Sequence, residues 1–428
     1  MRMEALYQYL WRHRLMGRRL STVGGEEVRV IDPGVLNTDA GPDFFNAKVR
    51  IGSQQWAGNV EIHVKASDWY RHGHDRDPAY GNVILHVVGV SDREVFKSDG
   101  TRLPQAELTL PEGFFRTYRE LHDGLLSLRC APRLRELSVL NVADWLETLG
   151  VERMQTKAER ILSVYRGCGC DWRQTCFVAL ARGLGFGLNS DPFEMLARSV
   201  DLKYAGRHSD NPFQLQALLF GQAGMLDPTR FIFDEYYQGM CREYFFLARK
   251  YGMRPMRPDL WKYARTRPQN FPHRRIALLA RFLEGGFSLF SAIKDAGGDG
   301  DRLRPVFRMP LEGYWHDHSS FDVVSRFPSD VLSEASIDLL LINTVAPLYY
   351  AYGVVTGDAE AGSLGLDIQS RLPAERNTIV RHWEDLGLKA GDAFRSQALI
   401  QLRKEYCDRK KCLFCRFGHQ LLRRDAAM

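Results

Sequence analysis

The sequence predicts an α+β protein, in which an N-terminal mixed β-sheet domain with flanking helices precedes a mostly α-helical domain. Short β-rich runs alternate with turn residues across Glu27–Leu110. Beyond Leu134, apolar residues recur at helical spacing almost to the end of the chain. A length of 428 residues also favours more than one core. We therefore expect an α/β domain at 1–133, a helical domain at 134–400, and a C-terminal tip at 401–428 packed on the helical domain.

The N-terminal elements are expected in the order helix, then strands. Apolar residues at helical spacing within residues 1–20 predict an amphipathic first helix. Strands are expected at Val28–Ile31, Phe44–Ile51, Gln55–Val64, Asn82–Val90 and Leu103–Leu110. In the third of these strands the residues alternate, which predicts a half-buried strand with Glu61, His63 and Lys65 on its second face. The fourth is apolar almost throughout and is expected to be buried in the sheet, with His86 as a core histidine.

The rear of the chain shows helical periodicity from Leu140 onwards. Helices are expected at Leu140–Val164, Cys176–Leu184, Pro192–Lys203, Pro212–Gly221, Phe231–Tyr251, Arg275–Glu284 and Ser336–Tyr352. Asn141, Asp191 and Asn211 are the expected N-caps, and proline follows the last two at the first helical position. The segment Gly297–Pro310 is rich in glycine, aspartate and arginine and is expected to be an exposed loop.

Composition places the chain among soluble globular proteins, with 45% hydrophobic and 26% charged residues. No uncharged apolar stretch of about 18 residues occurs, so no membrane span is expected. The longest apolar candidate, Ile337–Val355, contains Asp338 and Pro347 and is interpreted as a buried helix. The N-terminus lacks the apolar core of a secretory signal, which predicts a cytoplasmic protein.

Positive charge is concentrated in clusters rather than spread along the chain. The net charge is +6, and arginines group within residues 12–19, 254–275 and 403–424. Such clusters are compatible either with solvated helix faces or with a polyanionic partner such as DNA or RNA. Arg267, in the second cluster, is a candidate substrate-binding residue.

Acidic and imidazole side chains crowd two successive predicted strands. Asp43 heads one strand and Glu61 lies at the centre of the next, so two carboxylates can converge on one divalent cation. His72 and His74 follow, together with two aspartates, and a His-x-His pair can bind zinc, manganese or iron. The alternative is a turn at Asp43, a solvated strand face at Glu61, and a polar loop in which His72 and His74 hydrogen-bond the backbone.

The C-terminal tip carries a compact set of soft metal ligands. Cys407, Cys412, Cys415 and His419 have the spacing of a tetrahedral Cys3His site. Zinc is the expected occupant of such a closed structural site, and an iron–sulfur cluster with a fourth ligand from elsewhere is the alternative. The alternative is that these cysteines are reduced, buried thiols that bind no metal.

The helix, the Pro42-Asp43 pair and the Glu61-Ile62-His63 triplet resemble the PD-(D/E)xK nuclease superfamily. The resemblance implies a restriction-endonuclease-like domain in which Asp43, Glu61 and the Ile62 carbonyl bind Mg²⁺ or Mn²⁺. It also implies that His63 positions the attacking water. Histidine stands where that motif has lysine, and Lys65 or Lys48 is a possible substitute. A further acid is expected at Glu4, Glu26 or Glu27.

Stretches along almost the whole chain are similar to one bacterial family, the domain-of-unknown-function family 2851, which is found mainly among Bacteroidetes. The stretches are Asn37–Phe44, Gly58–His63, Ser67–Trp69 with His72 and His74, Asn82–Val88, Arg267–Pro272, Asn343–Pro347 and Tyr406–Gly418. This resemblance implies that the β-rich front and the helical rear form one evolutionary unit, and it implies no activity.

Three functions follow from these patterns. The first is a Mg²⁺- or Mn²⁺-dependent nuclease or nuclease-like phosphodiesterase, with Asp43, Glu61, His63 and Lys65 catalytic and His72, His74 and Arg267 binding substrate. The second is a non-catalytic nucleic-acid-binding protein with a degenerate nuclease fold, which the missing motif lysine favours. The third is a metal-dependent hydrolase of a small molecule, built on His63, His72, His74 and Asp77.

Overall fold

The chain folds into two compact units. The computed structural model describes residues 3–16, 20–124, 128–229, 232, 234–264, 266, 270–325 and 332–426. The first unit contains Met1–Trp145 together with Arg403–Met428, and the second is Leu146–Leu402. The C-terminal segment is thus grouped with the sheet-bearing unit, whereas the sequence placed it on the helical domain.

A mixed sheet forms the centre of the first unit. Its strands are β1 (Leu20–Ser21), β2 (Glu27–Asp32), β3 (Val35–Leu36), β4 (Phe44–Ile51), β5 (Gln54–Lys65), β6 (Val83–Val90) and β7 (Gln105–Glu107). They are ordered β1-β2-β4-β5-β6-β7, with β3 paired to β4. The pairs from β1 to β5 are antiparallel, while β5, β6 and β7 run parallel. The predicted α+β class with an N-terminal mixed sheet is therefore confirmed.

Burial along the central strands is more complete than the sequence indicated. The apolar strand β6 is buried from Val83 to Val88, as expected. In β5, however, the prediction of a half-buried strand is wrong, because residues 58–63 are buried on both faces. Glu61 and His63 are only 4% and 2% exposed, so they lie in an enclosed polar pocket and not on a solvated face.

Helices α1 (Met3–Arg12) and α2 (Asp68–Arg71) pack against strand β5 of this sheet. Helix α3 (Glu112–Asp123) packs against the last helix of the chain (Arg416–Ala426). The apolar face predicted for the first helix is confirmed, since Leu6, Leu10 and Trp11 are fully buried. The last helix is tied to this unit by the Asp425 carboxylate, which accepts a hydrogen bond of 2.7 Å from Arg133.

The second unit is mostly helical and contains a large apolar core. Its helices are α4 (Val139–Gly167, which begins in the first unit), α5 (Trp172–Leu184), α6 (Ser190–Arg198), α7 (Leu202–Gly206), α8 (Pro212–Gln222), α9 (Glu235–Tyr251), α10 (Pro272–Arg281), α11 (Leu289–Asp295), α12 (Gly300–Phe307), α13 (Tyr314–Asp317), α14 (Glu334–Leu340), α15 (Ala346–Thr356), α16 (Ala359–Arg371), α17 (Thr378–Asp385) and α18 (Ala393–Gln401), so that the C-terminal helix is α19. A short hairpin of β8 (His318–Ser320) and β9 (Val323–Val324) lies between α13 and α14.

Some local predictions in this unit are wrong. Asn211 does cap α8, but Asn141 and Asp191 lie inside helices α4 and α6. The segment expected to be a loop forms α12, because Asp299 caps its N-terminus and Leu303 and Phe307 are buried in the core. Charged residues on the outer face of this short helix masked its apolar face in the sequence.

One helical run in the described part of the chain is long and apolar enough to cross a membrane. It extends over Glu334–Thr356, and 61% of its most apolar window is buried inside the protein. Buried core helices meet the same length and composition criteria, so the run is weak evidence for a membrane span.

Candidate metal and hydrolytic site

The antiparallel register of β4 and β5 brings the two predicted carboxylates side by side. Phe44 pairs with Val60, so Asp43, one residue before β4, lies next to Glu61. The backbone N–H of Asp43 donates to Glu61 Oε2 at 3.0 Å, and the backbone N–H of Ile62 donates to Asp43 Oδ2 at 3.0 Å. Each carboxylate is therefore fixed by backbone from the neighbouring strand.

Helix α1 completes the acidic side of the pocket. Gln8 Nε2 donates to Asp43 Oδ1 at 2.9 Å and holds that carboxylate from the helix side. Glu4, one turn earlier, is close enough for its charge to raise the pKa of both Asp43 and Glu61. Of the three further acids considered from the sequence, Glu4 is thus the one whose field reaches this pocket among the described interactions.

Burial raises the pKa of both carboxyl groups well above their usual range. For Asp43 the charge of Glu61 adds to this effect, while the hydrogen bonds from Gln8 and Ile62 oppose it. For Glu61 the backbone N–H of Asp43 opposes the effect of burial. Ionising both carboxyl groups in this pocket is unfavourable. A bound cation offsets that cost, because its charge stabilises both ionised forms.

Two histidines converge on Glu61, and a third lies beside them. His63 Nε2 lies 3.4 Å and His74 Nε2 lies 3.3 Å from Glu61 Oε1. One ring nitrogen from each of His63, His72 and His74 lies within 4.8 Å of the others. His74 reaches the pocket because the chain turns back after α2 at Gly73, which has a positive φ of 77°.

A second layer of contacts orients the central imidazole. His63 Nδ1 and His86 Nε2 share a hydrogen bond of 2.9 Å, and His63 Nε2 and His72 Nδ1 are 3.1 Å apart. Burial, and then the neighbouring histidines, lower the pKa of His63 to about 2 and that of His86 to about 3. Both rings are therefore neutral near pH 7, which is the state in which an imidazole binds a metal.

Sequence reasoning missed the functional position of His86. It interpreted His86 as a core histidine, and its ring is indeed fully buried, but its Nε2 supports His63. Its Nδ1 has no hydrogen-bond partner among the described residues. The register of the parallel pair β5–β6 places His86 opposite Glu61, and a histidine within an apolar strand next to a Glu-x-His strand was the available signal.

Of the other predicted residues, Lys65 lies apart from this pocket, whereas Asp77 lies close enough to His74 for its charge to oppose the burial that lowers the pKa of that ring. Lys65 is exposed at the end of β5. Its charge acts on Asp92, whose pKa is lowered first by hydrogen bonds from Ser67 and only slightly by Lys65. Asp77 accepts a hydrogen bond of 2.9 Å from the Ala79 N–H and caps a 3-10 turn. Arg267 lies outside the described residues.

A family model described as "Protein of unknown function (DUF2851)" matches residues 4–378. The chain belongs to this family. Comparison with curated proteins and with solved structures found no match. In this DUF2851 protein the matched range contains the whole carboxylate–histidine pocket and ends before the C-terminal cysteines.

The C-terminal cysteines of this DUF2851 protein share a cavity with a cysteine from elsewhere in the chain. Cys407, Cys412 and Cys415 line one pocket, and the fourth cysteine that lines it is Cys130. His419 is not among the lining residues; its Nδ1 shares a hydrogen bond of 2.7 Å with the Tyr9 hydroxyl. The sequence spacing suggested His419 because it lies near the three cysteines in the chain, whereas Cys130 lies more than 270 residues earlier.

Proposed function

We propose that this protein is a metal-dependent hydrolase of phosphodiester bonds, that is, a nuclease or nuclease-like phosphodiesterase. The observation that carries the proposal is the convergence of His63 Nε2 and His74 Nε2 on Glu61 Oε1, beside the hydrogen-bonded carboxylate of Asp43. The phosphodiester substrate rests on the Pro42-Asp43 and Glu61-Ile62-His63 resemblance to the PD-(D/E)xK nucleases. Placement of Asp43 and Glu61 on neighbouring strands supports that resemblance.

The ligand chemistry favours manganese over magnesium. Magnesium prefers oxygen ligands, whereas imidazole nitrogen suits the later divalent metals. Glu61 and Asp43 offer oxygen, and His63, His72 and His74 offer nitrogen within one small space. Mn²⁺ accepts both kinds of ligand, and it is one of the two metals that the sequence predicted.

Each side chain has a distinct task in this proposal. Glu61, Asp43 and the histidines hold the cation, which supplies an activated water and polarises a phosphoryl oxygen when bound. The hydrogen bond to His86 fixes the orientation of the His63 ring. Because that ring is neutral, one of its nitrogens has a lone pair that can bind a metal inside the pocket. His72 lies at the exposed side of the cluster, where a substrate phosphate has access.

A small-molecule metal hydrolase is the second candidate, and the three clustered histidines are the observation that favours it. Asp77, which the sequence included in that site, caps a turn through Oδ1, and its charge also acts on His74, so this alternative draws on His63, His72 and His74 with Glu61 or Asp77 as the carboxylate.

The test is cleavage of labelled single- and double-stranded DNA and RNA, and of a bis-aryl phosphodiester, by the full-length protein with Mn²⁺, Mg²⁺ or Zn²⁺. We expect Mn²⁺-dependent cleavage that Asp43→Asn and Glu61→Gln abolish and that Glu112→Gln, an exposed carboxylate at the start of α3, leaves unchanged. Salt-sensitive binding of nucleic acid without turnover identifies the non-catalytic binding protein instead. Hydrolysis of small esters alone identifies the second candidate. Absence of both metal binding and turnover refutes the proposal.

A further inference from the structure

Four cysteines from distant parts of the chain surround one small cavity in the first unit. They are Cys130, Cys407, Cys412 and Cys415. Cys130 directly precedes the 3-10 segment Ala131–Glu136, and the other three belong to the C-terminal segment. We propose that Cys130 completes a four-thiolate metal centre with these three cysteines, and that His419 is not a ligand of it. This site is separate from the proposed hydrolytic activity.

The backbone of the C-terminal segment presents three sulfurs to the cavity. A π-helical stretch, Leu402–Cys407, ends at the first cysteine, and a 3-10 turn begins at Cys412. The Cys415 N–H donates to the Cys412 carbonyl at 3.3 Å, which closes the two-residue knuckle. Gly418 permits this packing, because a Cβ there would lie 2.2 Å from the Cys412 carbonyl oxygen. The fold therefore excludes any side chain at the point where the knuckle meets α19.

The four thiols lie close enough to one another to interact electrostatically. Cys412 and Cys415 both act on Cys130 and on Cys407. Four cysteines on one small cavity offer the thiolate ligands that a soft metal prefers.

Groups around the cavity are arranged to compensate thiolate charge. The backbone N–H groups of Gly418 and Phe417 donate toward Cys415 and lower its pKa against the effect of burial. Arg129 acts in the same way on Cys412, and Arg403 acts on Cys407. Donors to sulfur and nearby positive charge are the features that stabilise thiolate-bound zinc and iron–sulfur centres.

The fourth ligand is therefore assigned to Cys130 and not to His419. The imidazole of His419 is engaged elsewhere, with its Nδ1 on the Tyr9 hydroxyl and its ring 4.5 Å from that of His13. The Cys-x4-Cys-x2-Cys spacing of 407, 412 and 415 with one distant cysteine occurs in iron–sulfur proteins, and four thiolates also satisfy tetrahedral zinc. Both occupants share one chemistry, that of a thiophilic metal held by four sulfurs.

Such a centre has a structural consequence. It links the start of the 3-10 segment after α3 to the segment that leads into α19, across a chain separation that includes the whole second unit. Because cross-links that close long loops remove the most entropy from the unfolded chain, a metal here stabilises the attachment of α19 in addition to the packing of that helix against α3.

The test begins with full-length protein purified without oxygen, whose zinc, iron and sulfide are measured by elemental and chemical analysis. We expect either about one zinc per chain, or iron with matching sulfide and broad visible absorption. Cys130→Ser is expected to lower the metal content at least about tenfold, whereas His419→Ala and the exposed-thiol control Cys170→Ser retain it. No metal after reconstitution, retention by Cys130→Ser, or loss in His419→Ala overturns the proposal.

A second measurement does not depend on whether Cys130→Ser folds. The native protein is alkylated with and without a strong chelator, and each cysteine is located by mass spectrometry. Cys130 is expected to react only after chelation, together with the other three ligands, while Cys170 reacts in both conditions. Equal alkylation of Cys130 in both conditions overturns the assignment.

Discussion

Replacing Glu61 by glutamine is expected to affect stability in opposite directions with and without metal. In the apoprotein, Glu61 is 4% exposed, its carboxylate accepts the backbone N–H of Asp43, and its charge helps to raise the pKa of the Asp43 carboxyl after burial. Burial raises the pKa of both carboxyl groups in the folded protein. Their contribution to stability is therefore fully present when the pH is below the pKa of an ordinary carboxyl group, and it is lost as the pH rises through the pKa of the folded state. Glutamine keeps the acceptor for the Asp43 N–H and removes one of the two buried charges.

The expected magnitude follows from linkage. Each pKa unit by which a carboxyl is raised costs about 1.4 kcal/mol once the pH exceeds both values. At pH 8 in EDTA, Glu61→Gln is therefore expected to be more stable than wild type by about 1–3 kcal/mol, with a smaller difference at pH 5. The buried histidines have lowered pKa values, so their contribution is lost as pH falls; it is common to both proteins and cancels in the comparison.

With Mn²⁺ the order is expected to reverse. A ligand at 100 times its dissociation constant stabilises the folded state by about 2.7 kcal/mol. The wild-type protein is expected to gain about this amount, and Glu61→Gln to gain almost none, because it has lost the oxygen on which His63 and His74 converge. Apparent Tm measured by scanning fluorimetry at pH 5 and pH 8, with EDTA or Mn²⁺, checks both signs.

Two results refute this reasoning. If Glu61→Gln is less stable than wild type in EDTA at pH 8, the carboxylate pair is not under electrostatic strain. If Mn²⁺ stabilises both proteins equally, Glu61 does not bind the metal. The control Glu112→Gln is expected to follow the wild type under all four conditions.

Further predictions concern single positions. His86→Leu is expected to lower Mn²⁺ affinity about 10–100-fold, measured by calorimetry, because it removes the group that orients His63; unchanged affinity contradicts that role. Lys65→Ala is expected to leave turnover within about twofold of wild type, since its side chain is exposed outside the pocket; a large loss in kcat reinstates it as catalytic. Gly418→Ala is expected to reduce metal at the four-cysteine centre and to lower the apparent Tm, because its Cβ meets the Cys412 carbonyl; full metal content argues against the packing described.

Sequence patterns correctly predicted the features that depend on a single helix or strand. The first helix, the positions of the central strands along the chain and the burial of strand β6 followed from apolar periodicity. The proximity of Asp43 and Glu61 followed from their places on successive strands, because an antiparallel pair sets neighbouring residues side by side. The half-buried assignment of β5 was wrong, since alternation within a strand does not indicate whether other elements cover its polar face.

The sequence by itself determined the α+β class, the family and the types of ligand available: two carboxylates, several histidines and a group of C-terminal cysteines. Only the tertiary structure decided which of them meet. It brought His86 against His63, left Lys65 exposed outside the pocket, and placed Cys130, and not His419, on the cavity that Cys407, Cys412 and Cys415 line. Whether ligands converge depends on strand register and on contacts between residues far apart in the chain. The spacing of residues along the sequence predicts only local contacts, so it could not identify these groups.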